Sequence, residues 1–434
     1  MALMVHTAES PVTPATSRTY AWIVFALLFG LLLSDYMSRQ VLNAVFPLLK
    51  AEWSLSDTEL GSLSGVVSLM VGLLALPLSL IADRWGRIGS LKVMALLWTL
   101  ATLACGMADS FGSMFAARFL VGVGEAAYGS VGIAVVLSVF PAHLRSTLAG
   151  SFLAGGVFGS VLGMAIGGAV AAKMGWRSSF YAMAIFGLIV LAMFAAFVTE
   201  KRVAAAKGES RIGIPPPALF SFRTLLPGLF SARSVVFAYL GSGLELFIVG
   251  SLIAWLPSLL NRSYGLPLEK ASAAAAVFVL IAGVGMIVCG SLTDRLGRKA
   301  PTRKFTIAVG YCVTTFVLLA TAFRLEPGPA QLVLVGLGIF LAGGTTGPAT
   351  AMVANVTHVS IHATAFAVLS LANNLLGMAP GPILTGALAD RVGLAEAFRW
   401  TPFICLAAAW CFHLGGRRYP EDVARLDASS RHGA

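Results

Sequence analysis

Of the 434 residues, 58% are hydrophobic and only 11% charged, less than half the ~25% charge of soluble domains. A soluble protein of this composition lacks the polar residues to cover its surface, so the chain reads as an integral membrane protein with the lipid bilayer as its surroundings. The net charge of +11 would suit nucleic acid, but its placement along the chain, described below, makes it a topology signal and excludes that partner.

Residues 1–18 are polar and lack a basic start followed by an apolar core and a small-residue cleavage site. They read as a cytoplasmic tail, with the first span directing insertion. Twelve apolar blocks follow, near residues 21–46, 60–81, 93–107, 115–140, 147–171, 180–198, 235–260, 271–292, 305–323, 332–356, 363–389 and 400–415. Most reach the ~20 residues that a helix needs to cross hydrocarbon, and the alternation of a barrel strand is absent. The fold class is therefore all-α, with twelve transmembrane helices. The termini and even-numbered connections hold twenty of the 30 Lys and Arg, the odd-numbered connections eight. By the positive-inside rule both termini are cytoplasmic.

The first block contains LLLSDYMSRQVLNAVF, residues 31–46, with Asp35 and Arg39 four residues apart on one helix face. A charge in hydrocarbon costs a few kcal/mol, so this face is expected to look away from lipid. The second block runs into SLIADRWGR, residues 79–87. The fourth carries Arg118 and Glu125, two helical turns apart on one face. In the fifth, Gly155, Gly156, Gly159, Gly163, Gly167 and Gly168 repeat at three- and four-residue spacing, a pattern that permits close helix contact.

Residues 199–234 contain six basic residues and a PPP run and read as a cytoplasmic linker between two halves, 19–198 and 235–415. The seventh block holds Glu245, with Trp255 and Pro257 as gate or substrate contacts or as an outer-interface anchor. After the eighth comes GSLTDRLGRK, residues 290–299. Asp83, Arg84, Gly86 and Arg87 thus recur as Asp294, Arg295, Gly297 and Arg298, at the same place in each half. Two D-R-x-G-R loops in matching positions of a two-fold hydropathy pattern indicate internal duplication. Gly lets the chain turn sharply, and Asp can accept from Arg or from helix N-terminal amides, so each loop is expected to act in a cytoplasmic latch. The eleventh block carries NNLLGMAPGP, residues 373–382, in which Asn373 and Asn374 can reach a central cavity and Pro380 and Pro382 bend the helix. Residues 416–434 form a cytoplasmic tail.

The twelve blocks contain five Asp, Glu, Lys or Arg: Asp35, Arg39, Arg118, Glu125 and Glu245. At ~1.5 Å per residue, Asp35 and Glu125 fall roughly 17 and 15 Å below the outer ends of their spans, with the arginines above them and Glu245 at a similar depth. Guanidinium stays charged and presents a planar donor fork to a carboxylate. Arg39 and Arg118 are accordingly candidate anion contacts, and Asp35, Glu125 and Glu245 candidate proton sites. The same charges can instead serve as structural ion pairs. The five cysteines lie in apolar blocks without metal or disulfide spacing, and no G-x-x-x-x-G-K-[ST] phosphate loop is present. No metal, cofactor or enzymatic activity is expected.

The duplicated D-R-x-G-R loop on a six-plus-six frame resembles the signature loop of the major facilitator superfamily, from about residue 20 to 415. Ser79 stands where the first copy usually has Gly, while the second copy keeps Gly290. The resemblance implies two pseudo-symmetric six-helix bundles, with the first, fourth and seventh helices lining a cavity. RFLVGVGEAAYGSVG, residues 118–132, followed by FPAHLRS, is similar to the fourth helix of Spinster-like transporters and, more loosely, of the anion:cation symporter branch. In those groups the first helix often reads Tyr-x-Asp-Arg; here Tyr36 and Arg39 are kept but Ser38 replaces the acid, and Asp35 lies a turn away. Tyr36 joins the candidate substrate contacts. The sequence thus predicts a monomeric secondary transporter of the bacterial inner membrane, moving a small organic anion with protons by alternating access. The alternative is a Spinster-like carrier of an amphiphile such as a lysolipid.

Overall fold

A computed structural model describes residues 18–206, 230, 232–298, 302–357 and 362–432. The N-terminal tail and most of the predicted linker lie outside the described residues.

Among the described residues, eleven helices are long and apolar enough to cross a membrane: Thr19–Trp53, Asp57–Trp85, Arg87–Met107, Phe111–Val139, Thr147–Met174, Trp176–Phe197, Arg233–Tyr264, Leu268–Gly297, Arg303–Ala322, Pro329–Val356 and Thr364–Val392. They are called here the first to eleventh spans. A twelfth helical stretch follows without a break, as Leu394–Trp400, a tight 3-10 step at Thr401–Phe403, and Ile404–His432. Its helical residues begin before the predicted residue 400, with Leu394–Trp400, which carries the exposed pair Glu396–Arg399 at 2.6 Å. The third span likewise starts six residues before its predicted limit. Gly86, at φ 104°, makes the turn that begins it, a conformation costly for a residue with a Cβ.

Local sequence explains the other boundaries. Ser56 and Glu59 close a capping box at the start of the second span, with Ser56 N donating to Glu59 (2.8 Å) and Glu59 N to the Ser56 hydroxyl (3.1 Å). The fourth span is interrupted between Glu125 and Tyr128, and the tenth between Gly343 and Thr346. The eleventh widens into a π-helical stretch at Asn374–Met378, just before Pro380. Proline cannot donate to the preceding turn, and a register shift of this kind absorbs the missing bond.

Small residues set the closest approaches. A Cβ on Gly163 would sit 2.5 Å from the Met37 carbonyl, and one on Gly159 2.6 Å from that of Leu33; the glycine stripe of the fifth span therefore packs on the first. Between the halves, a Cβ on Gly61 would lie 2.3 Å from the Pro382 carbonyl, and one on Gly386 2.3 Å from that of Asp57. The second and eleventh spans are thus nearly in backbone contact at the face opposite the D-R-x-G-R loops, called here the far face.

Candidate functional site

Four of the five predicted intramembrane charges converge between the first and fourth spans. Arg39 donates through Nε to Glu125 Oε2 at 2.5 Å, while Asp35 Oδ1, on its own helix, is 4.0 Å away. The within-helix pair read from the sequence is therefore secondary to a cross-helix one. Both acids adjoin Arg39, and Asp35 Oδ1 and Glu125 Oε1 have no hydrogen-bond partner among the described residues. Both carboxylates are 3% exposed. Ser38, where the similar families carry an acid, donates its hydroxyl to the Asp35 carbonyl at 2.8 Å.

Arg118 differs from the expectation that it pairs with an acid. It is 1% exposed and donates to three backbone carbonyls, those of Leu63 (3.3 Å), Ser38 (3.0 Å) and Arg39 (3.5 Å). It ties the fourth span to the first and second, leaving two of its five N–H donors uncommitted. Arg39 keeps more. Among the described residues its two terminal nitrogens make no hydrogen bond to the protein, so four N–H groups remain for a ligand. The guanidinium lies 5.3 Å from the Tyr36 ring centre, and that ring in turn abuts Gly156 of the fifth span.

Both arginines border a cavity of about 30 Å³ between the halves. The first half lines it with Arg39, Gln40, Asn43, Ser64, Val67, Ser68 and Arg118. The second half contributes Gly250, Ile253, Ala254, Met378 and Pro382. Gln40, Asn43, Ser64 and Ser68 were not singled out by the sequence reading, although their polarity within apolar spans was the available signal. Asn43 donates to Gln40 at 2.8 Å.

Tyr36, Glu245, Asn373, Asn374 and Trp255, all expected at the site, do not border this cavity. Glu245 is fully buried, but it lies nine residues from Ala254, about 180° round the helix at ~100° per residue. It points into the second half, where the thiols of Cys312 and Cys405 adjoin its carboxylate. The depth estimate was insensitive to this, because depth follows from counting and direction does not. Asn374 donates within its own helix to the Ser370 carbonyl at 2.9 Å, and the Asn373 amide oxygen is buried without a partner. Trp255 is fully buried; it donates to the Pro382 carbonyl at 2.9 Å and packs on Phe46 at 5.2 Å between ring centres.

Beyond Trp255, the far face is closed by charges outside the apolar blocks. Asp57 receives Lys50 at 2.6 Å and both terminal nitrogens of Arg262 at 2.8 Å each. Asp390 accepts from the Asp57 and Thr58 amides at 2.6 and 2.9 Å and from the Thr58 hydroxyl at 2.6 Å. All of these bonds except that of Lys50 cross between the halves. The two D-R-x-G-R loops do not cross: Asp83 pairs with Arg87 at 2.8 Å and Asp294 with Lys304 at 3.0 Å, each within its own half. Nor, among the described residues, does either Asp cap a neighbouring helix. That place is taken by Glu200, which accepts from the Ile88 amide at 2.9 Å. Among the described residues, every side-chain hydrogen bond or ion pair between the halves lies at the far face.

Residues 28–382 match the family described as Major Facilitator Superfamily. The chain is 27% identical over 399 residues to the probable L-galactonate transporter of Escherichia coli (strain K12), covering 87% of this chain and 84% of that protein. It is 25% identical over 382 residues to the hexuronate transporter of Bacillus subtilis (strain 168), covering 86% and 88%. Among solved structures, a bacterial homolog of the human lysosomal transporter Spinster, inward-facing and unoccupied, superposes with a TM-score of 0.82 at 19% identity, covering 94% of this chain and 99% of that one.

Proposed function

The chain belongs to the Major Facilitator Superfamily, and from that membership and the charges around its cavity we propose that this multi-pass membrane transporter, which is not an enzyme, carries a small organic anion together with protons. The observation that carries the reading is Arg39. Glu125 holds its Nε while its terminal nitrogens remain open to the cavity, the geometry that receives a carboxylate in bidentate fashion. Relatives named for L-galactonate and hexuronate, both carboxylates, support the anion class.

Coupling follows from electrostatics. Asp35 and Glu125 share essentially one cation, since Arg118 is committed to backbone carbonyls. A substrate carboxylate arriving at Arg39 competes with Glu125 for that charge, and a carboxylate left buried beside another without its counter-ion favours protonation. Anion binding then promotes proton uptake by the Asp35–Glu125 pair, and release of one favours release of the other. Asp35 would thus take the place of the acid missing at Ser38, with Tyr36 orienting Arg39. Glu245, facing away from the cavity, would take no part.

Alternating access needs two gates. The far face is outer by the positive-inside reading of the loops, so this conformation is inward-facing and held by Asp57, Lys50, Arg262 and Asp390, with Trp255 beneath them. The loops at Asp83, Arg84, Gly86 and Arg87 and at Asp294, Arg295, Gly297 and Arg298 would latch the cytoplasmic side in the opposite state. Both termini would be cytoplasmic, in an inner membrane, and the working unit a monomer.

The test is uptake by proteoliposomes of carboxylates and lysolipids under an imposed pH gradient. Anion accumulation with protons moving down the gradient is expected; anion flux indifferent to the gradient would remove the coupling. The similarity to a Spinster homolog favours a second reading, transport of an amphiphile. Gradient-independent flux of a lysolipid with no carboxylate flux would establish that reading instead.

A further inference from the structure

Where the seventh span begins and the twelfth helical stretch leaves the apolar region, on the side of the D-R-x-G-R loops, a cleft of about 330 Å³ is lined by Arg233, Phe237, Leu414, Arg417 and Arg418. That volume falls within the ~300–1,000 Å³ of ligand clefts. No carboxylate lines it. Among the described residues Arg233 and Arg417 have no acid partner, and Arg418 meets Glu421 only at 3.5 Å. The cleft is held in shape from behind. Asp422, 6% exposed, accepts from the Ser234 amide at 2.8 Å and the Ser234 hydroxyl at 2.7 Å, which pins the end of the last helix to the start of the seventh span. Tyr419 packs on Phe305 at 5.2 Å between ring centres. Along the membrane normal the cleft grades from charge to hydrocarbon. Phe237 lies one turn deeper than Arg233, and Leu414 one turn deeper than Arg417 and Arg418. Trp410, 62% exposed, lies one turn deeper again on the face of Leu414.

We propose that this cleft binds the headgroup phosphate of an anionic phospholipid from the adjoining leaflet, with the acyl chains running along Phe237, Leu414 and Trp410. Basic side chains at span ends ordinarily extend singly into water or headgroups. Here three guanidiniums from two helices converge without a counter-ion, and their mutual repulsion is relieved by an anion among them. A phosphodiester accepts their planar donor forks in bidentate fashion. The apolar part of the cleft selects a lipid over free phosphate, which has nothing to lay on Phe237 and Leu414. A zwitterionic lipid offers the same phosphate but brings an ammonium into a cluster of three cations, so a headgroup of net negative charge is favoured. The bound lipid bridges the start of the seventh span and the end of the last helix, beside the Asp422–Ser234 contact and away from the central cavity.

The test is native mass spectrometry of the purified full chain in detergent, titrated with phosphatidylglycerol and with phosphatidylcholine of the same acyl chains, with inorganic phosphate as competitor. The first phosphatidylglycerol should bind at least tenfold more tightly than phosphatidylcholine, and inorganic phosphate should not displace it at equal concentration. Combining Arg233→Gln, Arg417→Gln and Arg418→Gln should weaken that first site at least tenfold. A charge-matched variant at exposed positions on the same side, Arg145→Gln with Lys201→Gln and Arg303→Gln, should weaken it less than threefold. If the first variant fails to fold, Arg417→Gln alone should weaken the site at least threefold. Equal losses in the two triple variants, or none in Arg417→Gln, would overturn the proposal in favour of diffuse surface charge. Phosphatidylcholine binding as tightly as phosphatidylglycerol would overturn the headgroup assignment, and displacement by an equal concentration of inorganic phosphate would make the cleft a free-anion site instead.

Discussion

Replacing Asp57 by Ala should open the far face. Its carboxylate, 3% exposed, receives Lys50 at 2.6 Å and Arg262 twice at 2.8 Å. Hydrogen bonds to charged groups contribute ~1.5–3 kcal/mol each. Lys50 and Arg262 are 37% and 28% exposed as side chains, so solvent screening reduces that. About 2–3 kcal/mol for the whole cluster is a fair magnitude, and at ~1.4 kcal/mol per factor of ten it shifts the closed-to-open ratio roughly 30- to 140-fold. The variant also leaves two cations facing each other, which acts in the same direction. The assay is modification of Ser64→Cys, within the cavity, by a membrane-impermeant thiol reagent added from the far side. The reaction should be slow with Asp57 present and at least tenfold faster in Asp57→Ala. An unchanged rate would refute the assignment of these charges as the lock.

Arg39→Lys should weaken anion binding at least tenfold, because an ammonium cannot hold Glu125 through one nitrogen while offering a planar fork to a carboxylate; titration with the transported anion measures it. Arg118→Ala should chiefly lower the melting temperature, since it orphans the buried carbonyls of Leu63, Ser38 and Arg39, at ~1–3 kcal/mol for each group left unpaired. Glu245→Gln should leave gradient-driven uptake within about twofold of the parent, a split from the cavity acids that a transport assay reads directly. Gly86→Ala imposes φ 104° on a residue with a Cβ and should cost roughly 1–2 kcal/mol, read as a fall in thermal stability.

The sequence carried the order of the first eleven spans well, because hydropathy and length are one-dimensional properties. It missed the start of the twelfth helical stretch, where Glu396 and Arg399 interrupt the apolar run. The charge cluster was legible because buried Asp, Glu and Arg are rare enough to stand out. Which acid holds Arg39 was not, since a cross-helix distance decides between Asp35 and Glu125. Glu245 shows the limit most clearly: counting residues fixes depth along an axis, while the direction of a side chain depends on what the helix packs against. Asp57, Arg262 and Asp390 sit at the ends of spans, where charged residues are ordinary, and nothing local marks them as partners. Gln40 and Asn43 did not stand out because uncharged polar residues are common enough in spans to lack the signal that a buried charge gives.

The central claim is that anion binding at Arg39 is coupled to a proton on the Asp35–Glu125 pair. The most direct measurement is proton uptake counted alongside anion uptake in proteoliposomes of the parent chain, Asp35→Asn and Glu125→Gln. The parent should accumulate anion against its gradient when the pH gradient is imposed, and Glu125→Gln should keep anion exchange across the membrane while losing that accumulation. If both variants accumulate anion with the parent's proton count, the coupling site is not where Arg39, Asp35 and Glu125 meet.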